Sequence, residues 1–276
     1  MESVLACCLS RRVTFERRDN RFEIKGSEMT EWTYLWVNVA VVFVPFVASF
    51  DKRVAFFSKW KAFWPACLLT MVFFISWDVI FTSRGIWGFN SAHLTGVDLL
   101  NLPVEEWLFF ITVPYACVFT YACFKKYIPK SPLGFAHRGI TIGMTGLCFG
   151  IALGFYDRDY LGLTAALCTI WLFGTLLRWR AWMGHFWFAY FVLLLPFVIS
   201  NGVLTGLDFW SYPLLHNNPE SIVDHIVWYN NDENSGWRLF SMPVDDLLYG
   251  LLLIGVNVSL FEAFSKRDSS SVQIHA

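Results

Sequence analysis

Phe89-Asn90, Thr95-Gly96 and Pro103-Val104-Glu105-Glu106-Trp107-Leu108 recur 140 residues later as Tyr229-Asn230, Ser235-Gly236 and Pro243-Val244-Asp245-Asp246-Leu247-Leu248. Every internal spacing matches, which indicates a repeated unit rather than a coincidence of composition. Each copy opens a long apolar run. Four carboxyls therefore stand at the mouths of two segments hydrophobic enough to lie in a bilayer, where an ionisable group is expensive and points to function.

The 276-residue chain is 56% hydrophobic and 16% charged, whereas a soluble domain carries roughly a quarter charged residues. Seven stretches, 32–50, 62–81, 105–124, 139–155, 160–177, 185–204 and 244–264, have the apolar character expected of membrane spans. Pro45, Pro65, Pro114 and Pro196 lie inside them, as membrane helices tolerate when neighbours satisfy the freed carbonyls. The expected fold is an all-α, polytopic helical bundle. The motif copies precede spans three and seven, which point the same way through the membrane. The pattern is thus a parallel 3+3 repeat with a connecting span: 29–135 and 159–265 as repeats, 136–158 between them, and 266–276 as a C-terminal tail.

Residues 1–28 are polar and of mixed charge, with no apolar signal region, and Met29 directly precedes the first span. This tail is expected to be dispensable. Twelve Lys and Arg, from Lys52 to Arg267, fall in the loops after spans 1, 3 and 5 and in the C-terminal tail. Only Arg84, Arg158 and Arg238 fall in the loops after spans 2, 4 and 6. The positive-inside rule then places both motifs on the non-cytoplasmic side, although the basic N-terminal tail argues the other way. A net charge of −1 gives no indication of a nucleic-acid partner. Cys67, Cys117, Cys123, Cys148 and Cys168 lie in or near apolar runs and read as small hydrophobes, not as a disulfide framework.

Proline followed by two acids suits a helix start. Capping alone does not explain why a 14-residue spacing from Asn to the acids is kept twice. Neighbouring helical residues diverge by about 100°, so Glu105 and Glu106 cannot serve one point together, nor can Asp245 and Asp246. Packing of the halves can instead bring Glu105 towards Asp245, or Glu106 towards Asp246. Two carboxyls in one poorly solvated site do not both ionise easily, and a neutral carboxyl there is a proton donor. Asp78, after Ser76-Trp77 near the end of span 2, is a further candidate acid. Asn201 stands at the comparable place in the second half. Trp77, Trp87, Phe89, Trp107, Trp228, Tyr229 and Asn230 sit on or beside the motifs, where aromatic faces can stabilise a cation.

No dinucleotide fingerprint and no Walker phosphate loop is present. The six histidines show no His-x-x-x-His pair, so no metal site is expected. All lysines lie outside the spans, so no buried amine is available for a Schiff base.

In Ser76-Trp77-Asp78, in Asn101 through Phe110, in Asn201 through Gly206, and in Trp228-Tyr229-Asn230 through Met242-to-Tyr249, the chain resembles the membrane-integral, cofactor-independent lycopene β-cyclases. The likeness is to the fused form of the heterodimeric bacterial type, related to the cyclase half of fungal bifunctional carotenoid enzymes, and covers about 29–264. It implies a lipid-soluble carotenoid, lycopene, as substrate, the bilayer as surroundings and no cofactor. It further implies cyclisation to a β-ring product, γ- or β-carotene, through protonation and a carbocation, with Glu105 as donor and Asp245 as alternative or partner. Asp245 departs from the commoner Glu of the family. Two other classes fit parts of the pattern: a seven-span proton- or cation-translocating or binding protein, and an intramembrane prenyl-transfer enzyme. The first would place polar residues along the spans; the second would need Asp-rich diphosphate motifs with basic partners.

Overall fold

The computed structural model describes residues 31–178 and 180–274. The polar tail, 1–28, lies outside them. Seven α-helices among the described residues correspond to the seven expected spans: α1 Thr33–Ala48, α2 Trp60–Ser83, α3 Val104–Tyr127, α4 His137–Gly154, α5 Asp159–Leu176, α6 Met183–Thr205 and α7 Asp246–Ile274. Helices α2, α3, α5, α6 and α7 are long and apolar enough to cross a membrane. The apolar α1 has 16 residues, about 24 Å at 1.5 Å per residue, short of the ~30 Å hydrocarbon core. Helix α4 carries Gly139, Gly143, Gly146, Gly150 and Gly154, which dilute its apolar content.

The helix boundaries follow local chemistry. Helix α3 begins after Pro103, with Glu105 and Glu106 in its first turn and Lys125 and Lys126 in its last, the charge order that suits a helix dipole. Helix α2 stops just before Gly85, whose φ of 68° no helix continues through.

Helix α1 packs on α3, and α5 on α7; across the bundle α2 packs on α7 and α3 on α6, while α4 lies along α5. The interior is aromatic, with Phe63, Phe74, Phe110, Tyr115, Tyr121 and Trp187 all buried. Phe43, Val44, Val72, Ile170 and Leu195 point outward instead. Apolar side chains on both the inside and the outside are what a hydrocarbon solvent permits.

Three small antiparallel ladders close one end of the bundle: β1 (Trp87–Phe89) with β4 (Val227–Tyr229), β2 (Asp98–Leu99) with β3 (Leu102–Pro103), and β5 (Arg238–Leu239) with β6 (Met242–Pro243). The helical reading of the sequence had not included them. The β1–β4 register is centred on Gly88 opposite Trp228, with Trp87 opposite Tyr229 and Phe89 opposite Val227. A twofold axis through the central pair would generate that pattern. Beyond the ladder, the Asn90 N–H donates to the Ile226 carbonyl and the Asn230 N–H to the Ile86 carbonyl, both at 2.8 Å. A Cβ on Gly88 would lie 2.4 Å from the Trp228 ring, so this crossing requires glycine.

Close packing of α5 on α7 also depends on a missing side chain. A Cβ on Gly255 would lie 2.3 Å from the Trp171 ring, and the Trp171 indole N–H donates to Ser259 Oγ at 3.0 Å. Gly255 and Ser259, one turn apart, form a slot for that ring. Gly255→Val is expected to destabilise the protein by about 1–3 kcal/mol through overpacking. Adding Trp171→Ala should recover part of the loss, as read by thermal unfolding in detergent. An unchanged midpoint for Gly255→Val would show that the slot is not needed.

Candidate active site

Two of the four motif carboxyls fasten their own loops. The Thr95 N–H donates to Glu105 Oε1 at 2.7 Å. The Ser235 N–H donates to Asp245 Oδ1 at 3.0 Å and the Ser235 hydroxyl to Asp245 Oδ2 at 2.6 Å. Both acids are buried, yet neither lines the cavity described next.

The next residue in each copy turns inward. Glu106 and Asp246, together with Asp78, line a cavity of about 50 Å³. Tyr34 donates its hydroxyl to Glu106 Oε2 at 2.5 Å. Tyr160 donates to Asp246 Oδ1, and Asp246 Oδ2 accepts from Asn201 Nδ2 at 2.6 Å and from the Tyr229 hydroxyl at 3.1 Å. Asp78 accepts from the Trp87 indole N–H and lies within Coulombic reach of Glu106. Its Oδ2 has no hydrogen-bond partner among the described residues. One helical step thus separates a carboxyl that clasps a loop from one that faces the interior. Of the two pairings open in the sequence, it is Glu106 and Asp246 that share a cavity.

The remaining wall is aromatic and aliphatic: Trp87, Phe89, Phe109, Tyr249, Phe197, Leu204 and Val227. Burial, followed by the charge of Asp246, holds the Tyr229 hydroxyl protonated far above the ordinary tyrosine range, which keeps it a donor. The buried Arg238 guanidinium sits 6.0 Å from the centre of the Tyr229 ring.

Of the residues expected at the site, Asp78, Trp87, Phe89, Glu106, Asn201, Tyr229 and Asp246 meet at this cavity. Others lie elsewhere. Trp77 is buried against Phe74, Phe81 and Tyr249. The Trp107 indole N–H donates to the Leu99 carbonyl at 3.2 Å on the loop side. Trp228 covers Gly88 and remains partly exposed. The Asn230 side chain accepts from the Asp232 N–H at 3.1 Å, as the Asn90 side chain accepts from the Ala92 N–H. The motif asparagines therefore shape turns.

Sequence reading missed Tyr34, Tyr160, Phe109, Tyr249 and Phe197. A signal for four of them was present. Tyr34 and Tyr160 are each the second residue of a helix, α1 and α5. Phe109 and Tyr249 each stand three places after an inward-facing acid. Extending the repeat alignment past the acidic motif would have found Phe109 and Tyr249. Tyr34 and Tyr160 precede their acids by 72 and 86 residues, so pairing them needs a gap in the alignment.

Buried acids around an aromatic cavity, at the heads of apolar helices, define a multi-pass membrane protein with an acid cluster at one end of its bundle. The family described as lycopene cyclase matches residues 31–124 and 157–264, and the chain belongs to that family. It is a carotenoid-cyclising enzyme. No curated protein and no solved structure matches the chain.

The two loop clasps differ in a testable way. Ser235→Ala removes a hydroxyl donor to Asp245 and should cost about 1.5–3 kcal/mol, the range for hydrogen bonds to charged groups. Thr95→Ala should be close to neutral, because Glu105 is held by the Thr95 backbone and the Thr95 hydroxyl has no partner among the described residues. Thermal unfolding of both variants measures the contrast; equal losses would contradict it.

Proposed function

We propose that the protein converts the linear ψ-ends of lycopene to β-rings, giving γ- and β-carotene, by proton transfer within the membrane and without a cofactor. The observation that carries this reading is the gathering of Asp78, Glu106 and Asp246 around one small aromatic cavity. Glu106 and Asp78 are neighbours that divide three donors, from Tyr34, Trp87 and Thr82, between two carboxyls, an arrangement suited to holding a proton. Asp246 receives three donors, an arrangement suited to a carboxylate.

The proton passes from the Glu106–Asp78 pair to the less substituted carbon of the terminal double bond, leaving a tertiary cation. The π electrons of the next reactive double bond attack that cation and close a six-membered ring, moving the charge to a ring carbon. Asp246 removes a proton from the adjacent ring carbon, and its C–H electrons become the ring double bond. One proton enters and one leaves, so the reaction is an isomerisation and needs no redox partner. The faces of Trp87, Phe89, Phe109 and Tyr249 stabilise the cation and exclude water. Glu105 and Asp245 act through the loops they fasten, which hold the inward acids in place.

The match of one family to two segments, the centred β1–β4 register and the Tyr34–Glu106 and Tyr160–Asp246 pairs support reading the chain as two fused copies of one unit. The active cavity then lies where the copies meet. This agrees with a fused form of the heterodimeric bacterial cyclases, related to the fungal bifunctional enzymes.

Expression in lycopene-accumulating cells tests the reaction, with activity normalised to folded protein in the membrane. Glu106→Gln and Asp246→Asn are each expected to lower cyclisation by the roughly 10²–10⁴ typical of acid–base groups. Glu105→Gln should chiefly lower the amount of folded protein. In deuterated water the product ring should retain solvent deuterium. Wild-type rates in both inward-acid variants would overturn the acid mechanism.

A further inference from the structure

The acid cavity, at about 50 Å³, holds no more than the end of a chain, so the body of a long substrate must lie elsewhere. A second and much larger cavity, about 420 Å³, adjoins it and is walled by α1, α3, α6 and α7. Phe197 lines both. All four helices that wall the larger cavity also contribute to the smaller one: Tyr34 from α1, Glu106 from α3, Asn201 from α6 and Asp246 from α7. From those residues the lining descends into the bundle, along α6 from Val203 to Tyr190. That is about 20 Å of helix at 1.5 Å per residue, some two-thirds of the ~30 Å hydrocarbon core.

The polar atoms on this wall are already paired internally. The Tyr190 hydroxyl donates to the Leu247 carbonyl at 2.8 Å, Thr120 to the Ala116 carbonyl at 2.8 Å, and Ser200 to the Phe197 carbonyl at 3.2 Å. None of these groups is left to recognise a polar ligand, so the wall suits hydrocarbon. Ala40 on α1 and Ile199 on α6 line the cavity and are themselves exposed, which leaves it open towards lipid. Where the two cavities adjoin, a Cβ on Gly250 would stand 3.3 Å from the tip of the Phe197 ring, so the absence of a side chain there makes room for that ring.

We infer that this groove binds the polyene body of the substrate, entering sideways from the bilayer, and that Phe197 is the movable partition past which one chain end reaches the acids. The inference rests on the cyclase reading for the identity of the polyene. The groove sets affinity, through contacts made equally before and during chemistry, and the acids set rate.

The test uses the full chain in lipid nanodiscs with lycopene. Lycopene is achiral, so a circular-dichroism band in its visible absorption reports binding in a chiral groove. Glu106→Gln/Asp246→Asn should retain the band while converting nothing. Ala40→Trp and Ile199→Trp fill the groove from exposed positions. Each should abolish the band and raise KM about tenfold, ~1.4 kcal/mol, with a much smaller change in kcat. Val72→Trp, on the exposed face of α2 away from the groove, controls for insertion and folding. Wild-type KM and an intact band in both filled variants would overturn the groove and leave the cyclase reading standing. A wild-type protein that shows the band but cyclises nothing would support the groove and sink the cyclase reading.

Discussion

A carboxyl buried at the head of a membrane helix is tolerated only when hydrogen-bond donors reach it from elsewhere in the fold. In both halves of this protein the decisive donor is a tyrosine at the start of a different helix: Tyr34 for Glu106 and Tyr160 for Asp246. These contacts tie α1 to α3 and α5 to α7 at the level of the acid cavity. Much of the architecture at that end can be understood as supporting them. The loop clasps on Glu105 and Asp245 set where the helices begin. The β1–β4 ladder brings Trp87 and Tyr229 over the cavity, where each donates to a carboxyl.

The same arrangement separates two tasks that adjacent acids could otherwise confuse. The ~100° between neighbouring helical residues sends one carboxyl of each pair to a backbone N–H in its own loop and the other to the interior. Charge at a helix start is favourable for both, but only the inward member meets a side chain from another helix and a cavity. Asp78 breaks the parity between the halves, because Asn201 occupies the comparable place. Asn201 serves as a donor to Asp246, whereas Asp78 adds a third acid beside Glu106. The cavity is therefore chemically lopsided although its framework is paired, and lopsidedness suits the proposed passage of a proton from donor to acceptor.

Much of the fold was legible in the chain. Apolar run lengths gave seven helices close to where they are found, and the duplicated acidic motif located the end of the bundle that carries the acid cavity. Asp78, Glu106, Asn201, Tyr229 and Asp246 were all named by position and residue type. Trp77 and Trp107 were named on the same grounds and lie off the cavity, because nearness along the chain to a motif does not decide which way a ring turns. The small ladders were not foreseen; strands of two or three residues are too short to carry a period.

The sequence by itself determined what is local or periodic: the spans, the repeated loops, and the helix starts at which acids are favoured by dipole and by proline geometry. Only the tertiary structure decided which acid of each pair faces inward, that Tyr34 and Tyr160 are the donors, and that Phe197 stands between a small acid cavity and a long apolar groove. These depend on partners 72 and 86 residues away in the chain and on packing across four helices. An apolar helix in lipid shows little contrast between its buried and exposed faces, so its sequence carries almost no record of which face turns inward.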